Sequence, residues 1–383
     1  MNILNCNYEV LNTAIVSSDD CYVIDENGKK YLDFEAGVWC VSLGHNNKKL
    51  NEAIIKQMNL VTHTGYRYTT KIVYEAAEKV LDLLNFPNGK CVFLSSGSEA
   101  VEFAVQLAKK IIKKTYFLCL NNYFLSSYGI SSSRDSEEWI SLDLSEYKGN
   151  VDEFLKDIPF SEISAFVFES GNASGTVKLP PRELICAIEN KIKENNGIIV
   201  VDEVTTGIGR TGKWFGFEHY DMNPDIVVCG KGIGNGYPVS VIALSKQVSD
   251  LTEKSNFKYA QSHQNDPLGS AVVNEVISII KNKNYIQKSA EKGTLLESEL
   301  KILMTRHEII KEVRGIGLMF ALEFHKDKKF NLEKIHKTLF DARYITGINL
   351  IENLLRFYPP LTVEESQIKN MSTALDKILK NEV

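Results

Sequence analysis

The 383-residue chain has no long apolar run, no close cysteine pair and no excess of basic charge, and each absence removes a class of protein. No hydrophobic stretch approaches the ~20 residues that cross a bilayer, so no membrane partner is expected. The segment MNILNCNYEVLN has neither the basic start nor the apolar core of a signal peptide, and a cytoplasmic location is expected. The seven cysteines (Cys6, Cys21, Cys40, Cys91, Cys119, Cys186 and Cys229) are odd in number and form no CxxC. That fits scattered reduced thiols better than disulfides or zinc. A formal net charge of -5 leaves no footprint for nucleic acid. The seven histidines show no HxH or HxxxH spacing, so no catalytic metal is expected, and His45 and His63 read as structural. No GxSxG elbow occurs, which disfavours a serine hydrolase.

What is present concentrates in residues 197–236. Ile198-Ile199-Val200-Val201 ends at Asp202, and Ile226-Val227-Val228-Cys229 leads through Gly230 to Lys231. Unbroken apolar runs of this length read as buried strands of a parallel sheet, and ligands of such sheets sit beyond the carboxyl ends of the strands. Asp202 and Lys231 are therefore expected to face one cleft. A buried carboxylate opposite a lysine set between glycines suits pyridoxal 5'-phosphate (PLP): the lysine holds it as a Schiff base, and the carboxylate keeps the pyridine nitrogen protonated.

From 91 to about 245 strands alternate with helices (CVFL, EAVEFAVQLAKKII, TYFLCL, SAFVFE, ELICAIENKIKE, IIVVDE, DIVVCG, VSVIAL), the pattern of an α/β fold with a mostly parallel sheet. Residues 48–84 read as largely helical, and Asn27-Gly28 marks a hairpin. After about 270 helices dominate, with strand-like pieces at GLMFALEF and LLRFYP. A large domain over 50–275 and a smaller α+β domain built from 1–49 and 276–383 are expected.

Several motifs admit two readings. Ser96 and Glu99 have capping-box spacing, so SSGSEA is either a well-capped helix start or, with Gly97 and Ser98, a phosphate cup. Tyr123, after the strand TYFLCL, is either core or a ring that stacks on the pyridine face. Arg356, between Leu355 and Phe357, is either a surface residue or a carboxylate clamp. Gly207-Ile208-Gly209-Arg210-Thr211-Gly212 satisfies GxGxxG and, with Lys213, most of a Walker A pattern. Trp214 stands where Walker A needs Ser or Thr, and no helix opens at the glycines, so a tight loop is the better reading than nucleotide binding.

Taken together, DENGKKYLDFEAG, FLSSGSEAVEFAVQLAK, VVDEVTTGIGRTGKWFGFEHYDMNPDIVVCGKGIGNGYPV, VRGIGLMFALEF and LLRFYPPL resemble the class III (ω-amino acid) aminotransferases of PLP fold type I. The resemblance implies ping-pong transfer of an amino group from a small-molecule amino donor to a keto acid. It makes Lys231 the Schiff-base lysine and Asp202 the partner of the pyridine nitrogen, both catalytic. It assigns Ser96, Gly97, Ser98, Tyr123, Glu169 and Thr205 to the cofactor, and Arg356, Trp39 and Arg67 to the substrate. Ser262 resembles a phosphate ligand given to the neighbouring subunit, which implies a homodimer with shared active sites. The chain departs from the family at Phe124, Leu125, Thr205 and Ser174. Ser174 replaces a glutamate that masks the substrate arginine, so Arg356 is expected to stand unmasked. An aminomutase, racemase or decarboxylase on the same fold is the alternative outcome.

Overall fold

The computed structural model describes residues 4, 6, 13–132, 136–172 and 175–382. In chain order the strands are β1 (Ile15–Asp19), β2 (Tyr22–Asp25), β3 (Lys30–Asp33), β4 (Lys90–Leu94), β5 (Tyr116–Leu120), β6 (Trp139–Leu142), β7 (Ile163–Glu169), β8 (Ile198–Asp202), β9 (Ile226–Cys229), β10 (Ser240–Leu244), β11 (Ile310–Ile316), β12 (Met319–Phe324), β13 (Tyr344–Ile345), β14 (Gly347–Asn349) and β15 (Leu354–Phe357). The helices are α1 (Ala36–Trp39, one left-handed turn), α2 (Lys48–Met58), α3 (Lys71–Leu84), α4 (Gly97–Ile112), α5 (Val151–Leu155), α6 (Arg182–Glu194), α7 (Lys246–Lys254), α8 (Pro267–Asn282), α9 (Tyr285–Arg306), α10 (Leu332–Asp341) and α11 (Glu365–Glu382).

The central sheet has seven strands in the order β4-β10-β9-β8-β7-β5-β6. Its inner strands need no polar alternation because both faces are covered. Along β8, Ile199 and Val201 enter one apolar cluster while Ile198 and Val200 enter another on the opposite face. Each fully buried Val, Ile or Phe contributes about 1.5–3 kcal/mol, enough to fix the register of strands this short. Helix α4 is capped by Ser96, whose hydroxyl accepts from Glu99 N–H at 3.2 Å. Glu99 reaches back to Ser95 N–H (3.0 Å), one residue earlier than a regular capping box.

Six of the seven strands run parallel; VSVIAL does not. Strand β10 is antiparallel to both β4 and β9. Only residues 230–239 separate it from β9, fewer than the dozen or so a parallel crossover needs. Strand β6 carries no sequence signal, being four residues long with an exposed Ser141 at its centre.

Two further sheets flank the central one. The Asn27-Gly28 hairpin forms with Gly28 at φ +74°. Strand β3 then pairs in parallel with β13, Tyr344 opposite Leu32 and Ile345 opposite Asp33, so segments far apart in the sequence share a sheet of order β1-β2-β3-β13. The third sheet, β11-β12-β15-β14, packs its apolar face into a cluster that includes Leu296, Leu300, Leu375 and Leu379 from α9 and α11. All seven cysteines are free.

Candidate active site

The carboxyl ends of β7, β8 and β9 meet at one edge of the central sheet. Glu169 and Asp202 are direct partners across β7 and β8, and Asp202 faces Val228 on β9. Beyond β9, Gly230 adopts an extended conformation and Lys231 sits at φ +43° in a short 3-10 turn. Asp202 and Lys231 line one cavity of about 140 Å³ together with Ser96, Gly97, Ser98, Glu169 and Thr205. Its far end is the first turn of α4, whose amides have no acceptor within the helix. Ser98 also accepts from Ser127 N–H at 3.0 Å, which ties the cup to the loop after β5.

The two glycines are sterically required. A Cβ at Gly97 would stand 2.7 Å from Val204, and one at Gly230 would stand 3.1 Å from the same side chain. The segments that carry Gly97 and Gly230 thus pack closely on Val204, more tightly at Gly97 than at Gly230.

Burial pushes the Asp202 carboxyl up, against the Val204 N–H that donates to Oδ1 (2.9 Å) and the nearby Lys231 ammonium. Burial pushes the Lys231 amine below the usual lysine range; Glu169 and Asp202 oppose that shift and the Arg356 cation adds to it. Lys231 Nζ donates to Thr205 Oγ1 at 2.7 Å. The neighbouring Glu203 turns away from the cavity. It accepts from the N–H groups of Gly216 and Phe217 and from the hydroxyls of Ser170 and Thr206, and burial raises it to about 7 against those donors. It closes the loop after β8.

Trp39 stands between Lys231 and Arg356. Its ring is 4.5 Å from Lys231 Nζ, 5.1 Å from Arg356 Cζ and 5.2 Å from the Tyr358 ring, and its buried Nε1 has no protein acceptor. Arg356, on β15, does not stand unmasked as the sequence suggests. Glu35 Oε1 lies 3.7 Å from Arg356 Nη2, and both side chains are largely buried. Burial pushes the Glu35 carboxyl up, Arg356 draws it down and Asp33 adds to the rise. An acid inside the apolar segment DFEAGVW is the only trace of Glu35 in the sequence. Ser174 lies outside the described residues.

Other residues fall elsewhere. From the loop after β5, Phe124 and Leu125 line the cavity, whereas Tyr123 is buried in the core with an unpartnered hydroxyl. Arg67 and Ser262 are exposed and do not line the cavity. The Gly207–Gly212 segment is a tight buried loop. Gly209 and Gly212 hold positive φ, and Arg210 donates to the Leu318 and Pro359 carbonyls.

These features fit PLP. An acid and a lysine share a cavity with a helix N-terminus, and the buried Trp39 N–H beside that lysine lacks a protein partner. The profile of the family "Aminotransferase class-III" matches residues 3–125 and 150–379. An acetylornithine aminotransferase of Caldanaerobacter subterraneus subsp. tengcongensis is 31% identical over 95% of this chain and 94% of its own. An alanine/serine racemase of Pyrococcus horikoshii is 26% identical over 94% of this chain and 84% of its own. The crystal structure of acetylornithine aminotransferase from Elizabethkingia anophelis superposes with a TM-score of 0.86 at 25% identity, covering 98% of this chain and 95% of that one. With the family matched from near one end to near the other, and transaminases more similar to it than the racemase, the chain belongs to the class III aminotransferases and is a PLP-dependent transaminase.

Proposed function

We propose that Lys231 is the residue that carries PLP and moves the proton, and that Asp202 holds the pyridine nitrogen protonated. The supporting observation is that both line one cavity with the first turn of α4. PLP, when bound, supplies an electron sink for the carbon that bears the migrating amine. The chain supplies the rest. Burial lowers the Lys231 amine below the usual lysine range, which favours its taking a proton from that carbon and returning it. The α4 amides and the Ser96 and Ser98 hydroxyls would hold the phosphate, and Thr205 would serve the ring hydroxyl. Between Tyr123 and Phe124, the residue that covers the ring is Phe124, since it lines the cavity.

The amino donor and the keto acid use the Arg356 side in turn. Arg356 takes a substrate carboxylate, as in a donor of the acetylornithine type named by the relatives, and Glu35 tempers it. Trp39 limits the space between Arg356 and Lys231.

Arg67 and Ser262 act in a second copy. Both are exposed and away from their own chain's cavity, and the segment that carries Arg67 exposes Ile55, Met58, Leu60, Tyr66, Tyr68 and Tyr74. A homodimer buries that face and brings Ser262 to the partner's phosphate. The large unit over 50–275 and the smaller one over 1–49 and 276–383 are supported by the separate sheets and apolar clusters. Among the described residues no helix is long and apolar enough to cross a membrane, and the free thiols support a cytoplasmic enzyme.

Borohydride reduction of the holoenzyme followed by peptide mapping tests the assignment. PLP is expected on Lys231 and on no other lysine, and Lys231→Ala is expected to lose both the label and transamination. A label elsewhere, or normal turnover by that variant, overturns it.

A further inference from the structure

Two imidazoles and one carboxylate meet away from the cofactor cavity. His63, in the loop between α2 and α3, brings Nδ1 to 2.7 Å from Asp266 Oδ1. His263 brings Nδ1 to 2.7 Å from Asp266 Oδ2. The two ring centroids are 4.8 Å apart at 49°, and the three ligating atoms lie within 4.8 Å of one another.

Two observations separate this cluster from an ordinary hydrogen-bonded group. Asp266 holds the N-cap position of the 16-residue α8, where its carboxylate would normally accept from the first amides, yet it caps nothing. Both of its oxygens are turned to the imidazoles instead. A cavity of about 180 Å³ also opens on His263 and Asp266, bordered by Ser95 and Tyr237, with room for water on a bound ion. With both rings neutral the cluster carries one negative charge and two ring nitrogens, the donor set of a borderline divalent metal.

We propose that His63 Nδ1, His263 Nδ1 and the Asp266 carboxylate form a binding site for a divalent transition metal of the zinc class, with water completing the coordination. Calcium and magnesium prefer all-oxygen ligands, whereas imidazole suits zinc and its neighbours. With zinc–nitrogen and zinc–oxygen distances near 2.0–2.2 Å, tetrahedral partners stand about 3.3 Å apart, so the two 2.7 Å contacts open by about 0.6 Å while the widest separation in the cluster, within 4.8 Å, draws in. Coordination through Nδ1 leaves each ring's proton on Nε2.

The ion is structural. Residues 255–266 are already pinned to the central unit: Asn265 exchanges two hydrogen bonds with Phe93 on β4, and Gln261 donates to Glu99 in the first turn of α4. A metal adds the 59–70 loop to that anchorage and sets Arg67 and Ser262 on one stapled unit. The site lies within one chain and does not depend on the dimer assignment.

The test loads chelator-treated holoenzyme with Zn²⁺ and, separately, Co²⁺. One zinc per chain is expected to survive desalting, and cobalt should give the intense visible bands of a low-coordinate site. His63→Gln and His263→Gln should each lose both signals while keeping the PLP absorbance, which reports an intact fold. No retained zinc in the unaltered protein, or equal zinc and the same pale cobalt spectrum in all three proteins, overturns the proposal.

Discussion

Glu35 and Arg356 face each other across 3.7 Å, one from just before the left-handed turn that follows β3 and the other from β15. Gly347, opposite Arg356 on β14, is what leaves them room. A Cβ there would stand 2.1 Å from Glu35 Oε1 and 2.9 Å from Arg356 Nε. A keto acid that binds Arg356 must compete with Glu35. Partly buried pairs fall between the exposed and fully buried limits, about 1–2 kcal/mol. Glu35→Gln is therefore expected to lower the KM for pyruvate or 2-oxoglutarate roughly 5- to 30-fold. An unchanged or raised KM in Glu35→Gln would remove Glu35 from substrate selection.

The lowered Lys231 pKa gives a pH dependence with a definite sign. Burial disfavours the ammonium, so the amine becomes neutral, and reacts with added PLP, at lower pH than an exposed lysine. Capture of PLP by the apoprotein should rise with pH and level off below the ordinary lysine pKa of about 10.5. Glu169 favours the ammonium, so Glu169→Gln should move the rise to lower pH. Arg356 disfavours it, so Arg356→Gln should move the rise to higher pH. Stopped-flow absorbance across a pH series measures both displacements.

Tyr123 and Phe124 should separate by thermal unfolding with and without cofactor. The Tyr123 hydroxyl is buried and unpartnered in the protein alone. Tyr123→Phe should stabilise the apoprotein by about 1 kcal/mol, because a desolvated hydroxyl is removed. Because Phe124 rather than Tyr123 lines the cavity, the same change should leave PLP retention unaltered. Phe124→Ala should leave the apoprotein nearly unchanged, since Phe124 is 49% exposed, and weaken PLP retention.

The left-handed turn offers a stability test. Ala36, Gly37, Val38 and Trp39 all have positive φ, from 47° to 68°. Asp33 holds them, accepting from Glu35 N–H and Gly37 N–H at 2.8 Å while His45 lies 2.8 Å away. A β-branched residue is costly there, about 1–2 kcal/mol, and Val38 is exposed with little packing to lose. Val38→Gly should raise the melting temperature, whereas Asp33→Asn should lower it; calorimetry decides both.

The central sheet and its edge were readable because parallel strands buried on both faces leave unbroken apolar runs. Asp202 and Lys231 stand out as charges that end or follow such runs, and Gly97 as a glycine in a strand-to-helix turn. Glu35 was not readable. Its role depends on β14 and β15 being brought beside the N-terminal segment, and nothing local marks that pairing. The orientation of β10 was hidden for a related reason: apolar alternation is blind to strand direction, and only the short connection reveals it. The meeting of His63 with His263 escapes any spacing rule, since the two residues lie in distant loops.

The two-residue ladder between β3 and β13 has a consequence for how the chain is made. Residues 344 and 345 leave the ribosome long after the first hairpin, so that hairpin must wait, one edge unsatisfied, until they emerge. Until then Glu35 has no guanidinium beside it and the left-handed turn has no strand at its back. Nascent chains halted before residue 344 should therefore already possess the seven-stranded core yet lack any organised substrate pocket.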